Sequence, residues 1–412
     1  MAGNSLLSPA SAGSLRSYWT AQLGGAIVTQ PIVVNNTVYI GSEDGYEYAF
    51  NETTGAQIWK TYLGNTTGCG FTDGVSSTPT YDNGTLYLGG GDAYWYAMNA
   101  QTGNVLWRVF VGNNSGKVGG GNYNWASPLL YDGSAYIGVA SHCDKPLVPG
   151  GLLEVDLTTH QVVARFNTTS NAELGASIWG TPAVDTATGT IYVTTGNGPV
   201  GDAYAEAIIA LNASTLRVTS YWTVPTTLHV ADGDFGTTPT LFQDAHGHPL
   251  VGATNKDGYF FAFNRRSLSH GPVWELRIST TSSVSSASYG QGLLFVGGSK
   301  TKLGGVAENG SVRAVSATSG QAVWAVGFPG PVFAATSYAD GVVAAAGGNV
   351  FRVLSAQNGS ILFQYTGPGT TLKYEFQGAP TIVHDRIYVG DDNGRLYAFG
   401  LPPSVPRPSA PD

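Results

Sequence analysis

The sequence predicts an all-β chain: an eight-bladed β-propeller of four-stranded antiparallel blades, closed by the N-terminal strand completing the last blade. Three observations support this. The stretch Val38 to Gly64, VYIGSEDGYEYAFNETTGAQIWKTYLG, reads as three short strands and two turns, and variants of it recur along the chain. A position in the last strand of that unit recurs as Trp19, Trp59, Trp107, Ala164, Trp222, Trp274, Trp324 and Phe363, at spacings of 39 to 58 residues, which suit propeller blades. Finally, the two ends of the chain are complementary. The last unit, APTIVHDRIYVGDDNGRLYAFG, has no fourth strand, whereas Tyr18 to Leu23 is a fourth strand that precedes every unit. Joining them closes the ring and leaves no exposed sheet edge between its ends.

Within the first unit each element has a local cause. Gln30 to Val34 is strand A, ended by the Asn35-Asn36 turn. Val38-Tyr39-Ile40 is strand B, an apolar β-rich run buried on both faces. Ser42-Glu43-Asp44-Gly45 turns the chain into strand C, Tyr46 to Phe50. Glu52-Thr53-Thr54-Gly55 turns it again, since Gly accepts the positive φ that closes such a turn. Gln57 to Leu63 is strand D and carries Trp59, whose flat ring can pack against the next blade. The eight A-B-C sets begin near Gln30, Ser77, Ser127, Thr181, Thr238, Ala287, Ala334 and Ala379. The propeller therefore spans residues 15–401. Residues 1–14 are expected to be disordered, and 402–412, PPSVPRPSAPD, to be a Pro-rich tail.

Charged residues make up 11% of the chain, against about 25% in ordinary soluble domains, and the net charge is −8. Acidity and the lack of a basic stripe argue against a nucleic-acid partner. No apolar run approaches the ~20 residues of a transmembrane segment. Nine Asn-x-Ser/Thr sequons, at Asn35, Asn51, Asn65, Asn83, Asn113, Asn167, Asn212, Asn309 and Asn358, point to an extracellular or cell-surface, N-glycosylated protein. The opposing explanation is that Asn, Ser and Thr favour turns. The N-terminus shows no basic region followed by an apolar core, so an exported chain would here be a mature or re-engineered form. The two cysteines, Cys69 and Cys143, fall in loops that open on one face, and an oxidising exterior predicts a disulfide between them.

Of seven lysines, six (Lys117, Lys145, Lys256, Lys300, Lys302 and Lys373) fall in loops of that same face, the B–C and D–A face. A cationic rim there would steer an anionic ligand; equally, long loops simply hold charge. His246 and His248 lie in an A–B turn on the opposite face and read as solvated. No phosphate-binding Gly loop and no zinc spacing occurs.

The units VYIGSEDGYEYAFNETTGAQIW and GTLYLGGGDAYWYAMNAQTGNVLW resemble the pyrroloquinoline quinone (PQQ) propeller repeat, over essentially the whole chain. Two classes share it: quinoprotein alcohol dehydrogenases and non-catalytic scaffolds of outer-membrane assembly. Three segments resemble the dehydrogenase lineage. They are Ile178-Trp179-Gly180-Thr181-Pro182-Ala183-Val184-Asp185 with Thr195-Gly196-Asn197, then Asp232-Gly233-Asp234-Phe235, then Asn255-Lys256-Asp257-Gly258 with Phe263-Asn264-Arg265. The shorter chain resembles the polyvinyl-alcohol dehydrogenase branch most.

The resemblance implies roles for particular residues. Trp179 would be the flat floor under the quinone and Lys256 the basic group on its oxygens. Asn197, Asp234 and Asp144 would be oxygen ligands of a Ca²⁺ ion, and Asp234 the catalytic base. Each also has an ordinary use, as a core Trp, a turn Asn or an Asp cap. The chain departs from the family in having no adjacent cysteine pair, Asp144 where a Glu ligand is expected, Asp-Gly-Asp for Asp-Trp-Asp, and no haem site. Electrons would then pass to an external acceptor. The expected function is oxidation of a small-molecule alcohol or a polymer substrate with PQQ and Ca²⁺. The alternative is a non-catalytic propeller acting as an adhesion or surface scaffold for a protein partner.

Overall fold

The computed structural model describes residues 6–67, 72–115, 121–144, 146–169, 174–199, 201–368 and 376–402. Eight sheets form the propeller. Blade 1 pairs Ile32–Val34, Thr37–Gly41, Tyr46–Asn51 and Gln57–Tyr62 in sequence order, and the other blades repeat this meander. The expected starting points of the sets each fall within a few residues of an observed first strand, from Ile32–Val34 to Thr381–Val383.

The ring closes as expected. Arg16–Gln22 pairs antiparallel with Arg395–Gly400, Arg16 opposite Gly400 and Gln22 opposite Arg395, so the first strand of the chain is the outer strand of the last blade. Two additions break the regularity. Asn122–Tyr123 adds a short strand to blade 3, and a hairpin of Thr301–Leu303 and Val306–Glu308 extends the B–C loop of blade 6.

The hydrophobic core lies at the seams between blades rather than in one centre. Eight apolar clusters occur, one per seam; Tyr39, Ala49, Leu86, Leu88 and Met98, for example, fill the seam of blades 1 and 2. The recurrent Trp stitches four of the seams from outside. Trp59 Nε1 donates to the Ala100 carbonyl at 3.0 Å, and Trp19, Trp274 and Trp324 donate in the same way to Glu52, Ala317 and Ala356. Its ring lies on the C–D turn of the next blade. Gly55 there has φ +70°, and a Cβ would stand 2.6 Å from the Trp19 ring, so this turn requires Gly twice over. In blade 3 the turn residue is His160, which stacks on Trp107 at 4.2 Å.

The expectation that residues 1–14 are disordered needs correcting from residue 6 onward. Leu7 and Ala12 are fully buried in the seam of blades 7 and 8 with Phe351, Phe376 and Phe399. The Leu6 amide donates to the His384 carbonyl at 2.8 Å, and Ala12–Ser14 forms a 3-10 turn. The seam offers Leu6, Leu7 and Leu15 more buried apolar surface than solvent does. Residues 1–5 and 403–412 lie outside the described residues, as do Cys69, Lys117, Lys145 and Lys373. The expected Cys69–Cys143 bridge thus falls outside them too. No helix among the described residues is long and apolar enough to cross a membrane.

Candidate functional site

The propeller axis is an open funnel of about 1060 Å³. Each blade contributes two residues to its wall, three positions and one position ahead of the residue that leads into strand A, which is Pro except in blades 6 and 7, where it is Ala287 and Thr336. In blades 3 and 4 these are Trp125 and Ser127 before Pro128, and Trp179 and Thr181 before Pro182. Hydroxyls at the lower position join neighbouring blades: the Ser127 amide donates to Thr181 Oγ1 at 3.1 Å and the Thr238 amide to Ser286 Oγ at 3.0 Å.

A second cavity of about 480 Å³ adjoins the funnel and shares Trp125 and Trp179 with it. All five residues singled out in the sequence, Asp144, Trp179, Asn197, Asp234 and Lys256, line this cavity. They come from the B–C loops of blades 3, 4 and 5 and the D–A loops before blades 4 and 5, so the fold gathers residues over a hundred positions apart at one mouth.

Asp234 is the hub. Its Oδ2 lies 2.5 Å from Lys256 Nζ, and its Oδ1 accepts the Asn197 backbone N–H. Lys256 is also 2.7 Å from Asp232 Oδ1. The Lys256 backbone N–H donates to the Asp234 carbonyl at 2.8 Å, which fixes the register of the two loops. Burial raises the Asp234 pKa above the usual carboxylate value, and the Lys256 ammonium works against that rise. Burial penalises the Lys256 ammonium in turn, but Asp234 and Asp232 outweigh it and raise its pKa.

Asn197 lies between the two acids. With its NH₂ turned to them it donates to Asp234 Oδ1 at 2.8 Å and to Asp144 Oδ2 at 3.2 Å. Turned the other way, its carbonyl completes an all-oxygen set with both carboxylates, the donor chemistry of a hard cation. Burial raises the Asp144 pKa, opposed by the Asn197 hydrogen bond. Trp179 is half-buried and leans across the next blade, where a Cβ on Gly236 would stand 2.1 Å from the indole; only Gly leaves that space. Lys256 Nζ stands 5.2 Å from the centre of the Trp179 ring.

Strain is concentrated here. Outside the A–B and C–D turns, the non-Gly residues with positive φ are Ala93, Cys143, Asp144, Ala176, Glu206 and Asp232 among the described residues, and all but Ala93 lie on the loops of this site.

Several residues of the site were not singled out in the sequence. Asp232 belongs to the Asp-Gly-Asp motif but was given no role. Trp125 shares its repeat position with Trp179, Trp-x-Ser-Pro against Trp-x-Thr-Pro, and that alignment was the signal available. Two pairs, one buried and one with an exposed histidine, carried no signal. His142 Nε2 lies 2.5 Å from Asp73 Oδ2, which ties the loop of Asp144 to blade 2, and His229 Nδ1 lies 2.8 Å from Glu206 Oε1 behind the loop of Asp234. Of the six lysines of the expected cationic rim, the described Lys256, Lys300 and Lys302 do not line the funnel. Its wall carries Glu43, Asp44, Asp73 and Asp392 and no Lys or Arg among the described residues; Lys256 is already ion-paired, and Lys300 and Lys302 are exposed at the blade 6 hairpin. His248 pairs with Asp244 in its turn and is solvated, as read from the sequence.

A closed ring of eight four-stranded blades, with aromatic and oxygen-donor residues at one mouth, defines a propeller of the quinoprotein type. The chain belongs to the PQQ-repeat propeller family: the family model described as outer membrane protein assembly factor BamB matches residues 16–267 and 256–401. No curated protein sequence matches the chain. Solved structures share the fold at low identity. A europium-containing methanol dehydrogenase superposes with a TM-score of 0.78 at 15% identity, over 96% of this chain and 95% of the other. The quinohemoprotein alcohol dehydrogenase from Comamonas testosteroni gives 0.78 at 17%, over 99% and 79%. BamB from Moraxella catarrhalis gives 0.66 at 16%, over 94% and 99%.

Proposed function

We propose that this chain is a quinoprotein-type dehydrogenase that oxidises an alcohol or polyol with PQQ and a Ca²⁺ ion and passes the electrons to an external acceptor. One observation carries the reading: Asp144, Trp179, Asn197, Asp234 and Lys256, from three blades, line a single cavity beside an open funnel. The donor set fits the ion, since two carboxylates and an amide carbonyl can converge on one point. The wall fits a planar quinone, since a fixed indole, one ammonium and hydroxyls at Ser127, Thr181 and Thr238 surround the space. Asp144, Asn197 and Asp234 would hold the ion; Trp179 and Lys256 would hold the quinone. When bound, that pair supplies an electron acceptor polarised by a Lewis acid.

The chain's own groups do the rest. Asp234, held between Lys256 and the Asn197 amide, is placed to take the proton of an alcohol hydroxyl. Lys256 opposes the rise that burial causes in the Asp234 pKa, and the His142–Asp73 pair holds the Asp144 loop in place. Export belongs to the same proposal. Seven of the nine sequon asparagines are exposed, whereas Asn51 and Asn212 are half-buried and cap their turns through Oδ1, as Asn99 and Asn264 do without a sequon. A Cys69–Cys143 disulfide belongs to the same proposal, since export implies an oxidising exterior.

The test is anaerobic reconstitution with PQQ and Ca²⁺, followed by an absorbance scan and a dye-linked alcohol assay. Uptake that requires Ca²⁺ and is lost in Asp144→Ala supports the reading; no uptake sinks it. The second reading, a non-catalytic surface scaffold, is favoured by one observation: Lys256, the cation of the cavity, is already neutralised by Asp232 and Asp234.

A further inference from the structure

Asp234 is carried into the cavity at the end of an exposed loop. Residues 225–232 are exposed throughout, whereas Gly233, Asp234 and Phe235 are buried. Among the described residues, two side chains of the exposed part fasten it to the blades by hydrogen bond or ion pair. Asp232 reaches Lys256 at 2.7 Å, and His229 Nδ1 reaches Glu206 Oε1 at 2.8 Å. Lys256 is shared with Asp234 itself, so that tie belongs to the site already described. Glu206 does not line the cavity; it stands behind the loop, in blade 4.

The fold fixes Glu206 firmly. It immediately precedes Ala207–Asn212, the third strand of blade 4. Its N–H donates to the Gly196 carbonyl at 2.9 Å, and its own carbonyl accepts from the Val224 N–H at 3.0 Å. Its φ is +50°, a left-handed value that is costly for any residue with a Cβ and persists only where the surroundings enforce it. The side chain is 7% exposed, and one carboxylate oxygen goes to His229.

The second oxygen lies against the Asp234 loop. A Cβ on Gly233 would stand 2.8 Å from Glu206 Oε2, so a side chain there would displace the carboxylate. That contact gives the Gly of Asp-Gly-Asp a use. The Gly233 carbonyl in turn accepts from Asn255 Nδ2 at 2.7 Å. Through its backbone Glu206 holds the segment that ends in Asn197, and through its carboxylate it holds the loop that ends in Asp234.

We propose that Glu206, clasped by His229, is a positioning residue of this site: it ties the two loops together so that the Asp234 carboxylate faces Asn197 and Lys256. The inference rests on the dehydrogenase reading for what Asp234 does there, and on geometry for where Asp234 stands.

The Asn197 backbone N–H reports that placement, because it donates to Asp234 Oδ1. Amide hydrogen exchange of the full chain is read at Asn197 and at the buried strand Thr190–Thr194, which separates local release from general loosening. His229→Ala alters an exposed loop and no buried strand. It should speed exchange at Asn197 at least about tenfold, the worth of one hydrogen bond to a charged group, and leave Thr190–Thr194 unchanged. Glu206→Ala should do the same, and the double variant should add little to either. Glu206→Gln keeps an oxygen for His229 and should exchange near the unaltered rate. Unaltered exchange at Asn197 in His229→Ala, or equal acceleration at Asn197 and Thr190–Thr194, overturns the proposal.

Ca²⁺-dependent PQQ uptake is measured on the same variants and should weaken by a similar factor in His229→Ala. Equally tight uptake despite faster exchange overturns the positioning role. Faster exchange with no uptake by the unaltered chain keeps the placement of Asp234 and removes the dehydrogenase reading. Uptake with unaltered exchange does the reverse.

Discussion

Asn197 and Asp234 meet across the boundary of blades 4 and 5: the Asn197 backbone N–H donates to Asp234 Oδ1, and the Asn197 amide lies 2.8 Å from the same oxygen. Two loops 37 residues apart are thereby held around one carboxylate, whose other oxygen faces Lys256.

Replacing Asp234 by Asn keeps its size and the hydrogen bond from Asn197 but removes the base. Lys256 retains Asp232 at 2.7 Å, so the fold and the melting temperature should change little. Alcohol oxidation in the reconstituted protein should fall by at least about 10²-fold, the usual worth of general-base catalysis. Dye-linked turnover at the unaltered rate would show that Asp234 is only a loop anchor.

The N-terminal segment should contribute to stability from Leu7 onward. Leu7→Ala leaves a cavity in the seam of blades 7 and 8 and should cost about 2–5 kcal/mol in denaturant unfolding. Deletion through Leu23 removes Trp19 and bares Arg395–Gly400 as an edge, so aggregation is expected. A soluble, fully stable deletion would refute ring closure.

Glu47 is fully buried in the seam of blades 1 and 2, and neither carboxylate oxygen has a hydrogen-bond partner among the described residues. It sits opposite Gly41, as Leu152 and Leu396 sit opposite Gly138 and Gly390 in their blades. Burial raises its pKa well above the ordinary value. The folded state therefore keeps a proton that the unfolded chain loses above about pH 4.3, and stability drains away as pH rises past that point. Glu47→Leu should stabilise the protein at pH 7 by about 1–3 kcal/mol, with the gain shrinking toward pH 4. A gain independent of pH would place the effect in packing alone.

Asp257 lacks a partner that its counterparts have. In blades 1, 2 and 8 the B–C turn Asp bonds a Tyr hydroxyl: Asp44 with Tyr48, Asp92 with Tyr96, and Asp391 with Tyr397. Blade 5 has Phe261 at that place, and Asp257 Oδ2 is buried with no partner among the described residues. Burial lifts its pKa to about 6. Phe261→Tyr should restore the bond, lower that pKa and raise the melting temperature, more at pH 7 than below about pH 3, where the carboxyl is protonated in both states. No rise at pH 7 would show that the hydroxyl does not reach.

The sequence by itself determined the ring. Recurring strand and turn chemistry, from Val38-Tyr39-Ile40 to the Trp of strand D, is written in each blade because each blade repeats the same local problem. The missing fourth strand of the last unit, set against the spare strand at Trp19, specified closure. Three dehydrogenase-like segments picked out four of the five cavity residues as candidates, since motif spacing survives in linear order, and Asp144 entered as a substitute for an expected Glu ligand. Tertiary structure alone decided the rest. That Leu7 would find a seam, that Trp125 and Trp179 would border one funnel, and that His142 would brace the Asp144 loop through Asp73 are outcomes of contact between distant loops. Local patterning encodes what a residue does to its own strand and turn. Burial and the lining of a shared axis are set by eight blades together, and they exist only once the ring has closed.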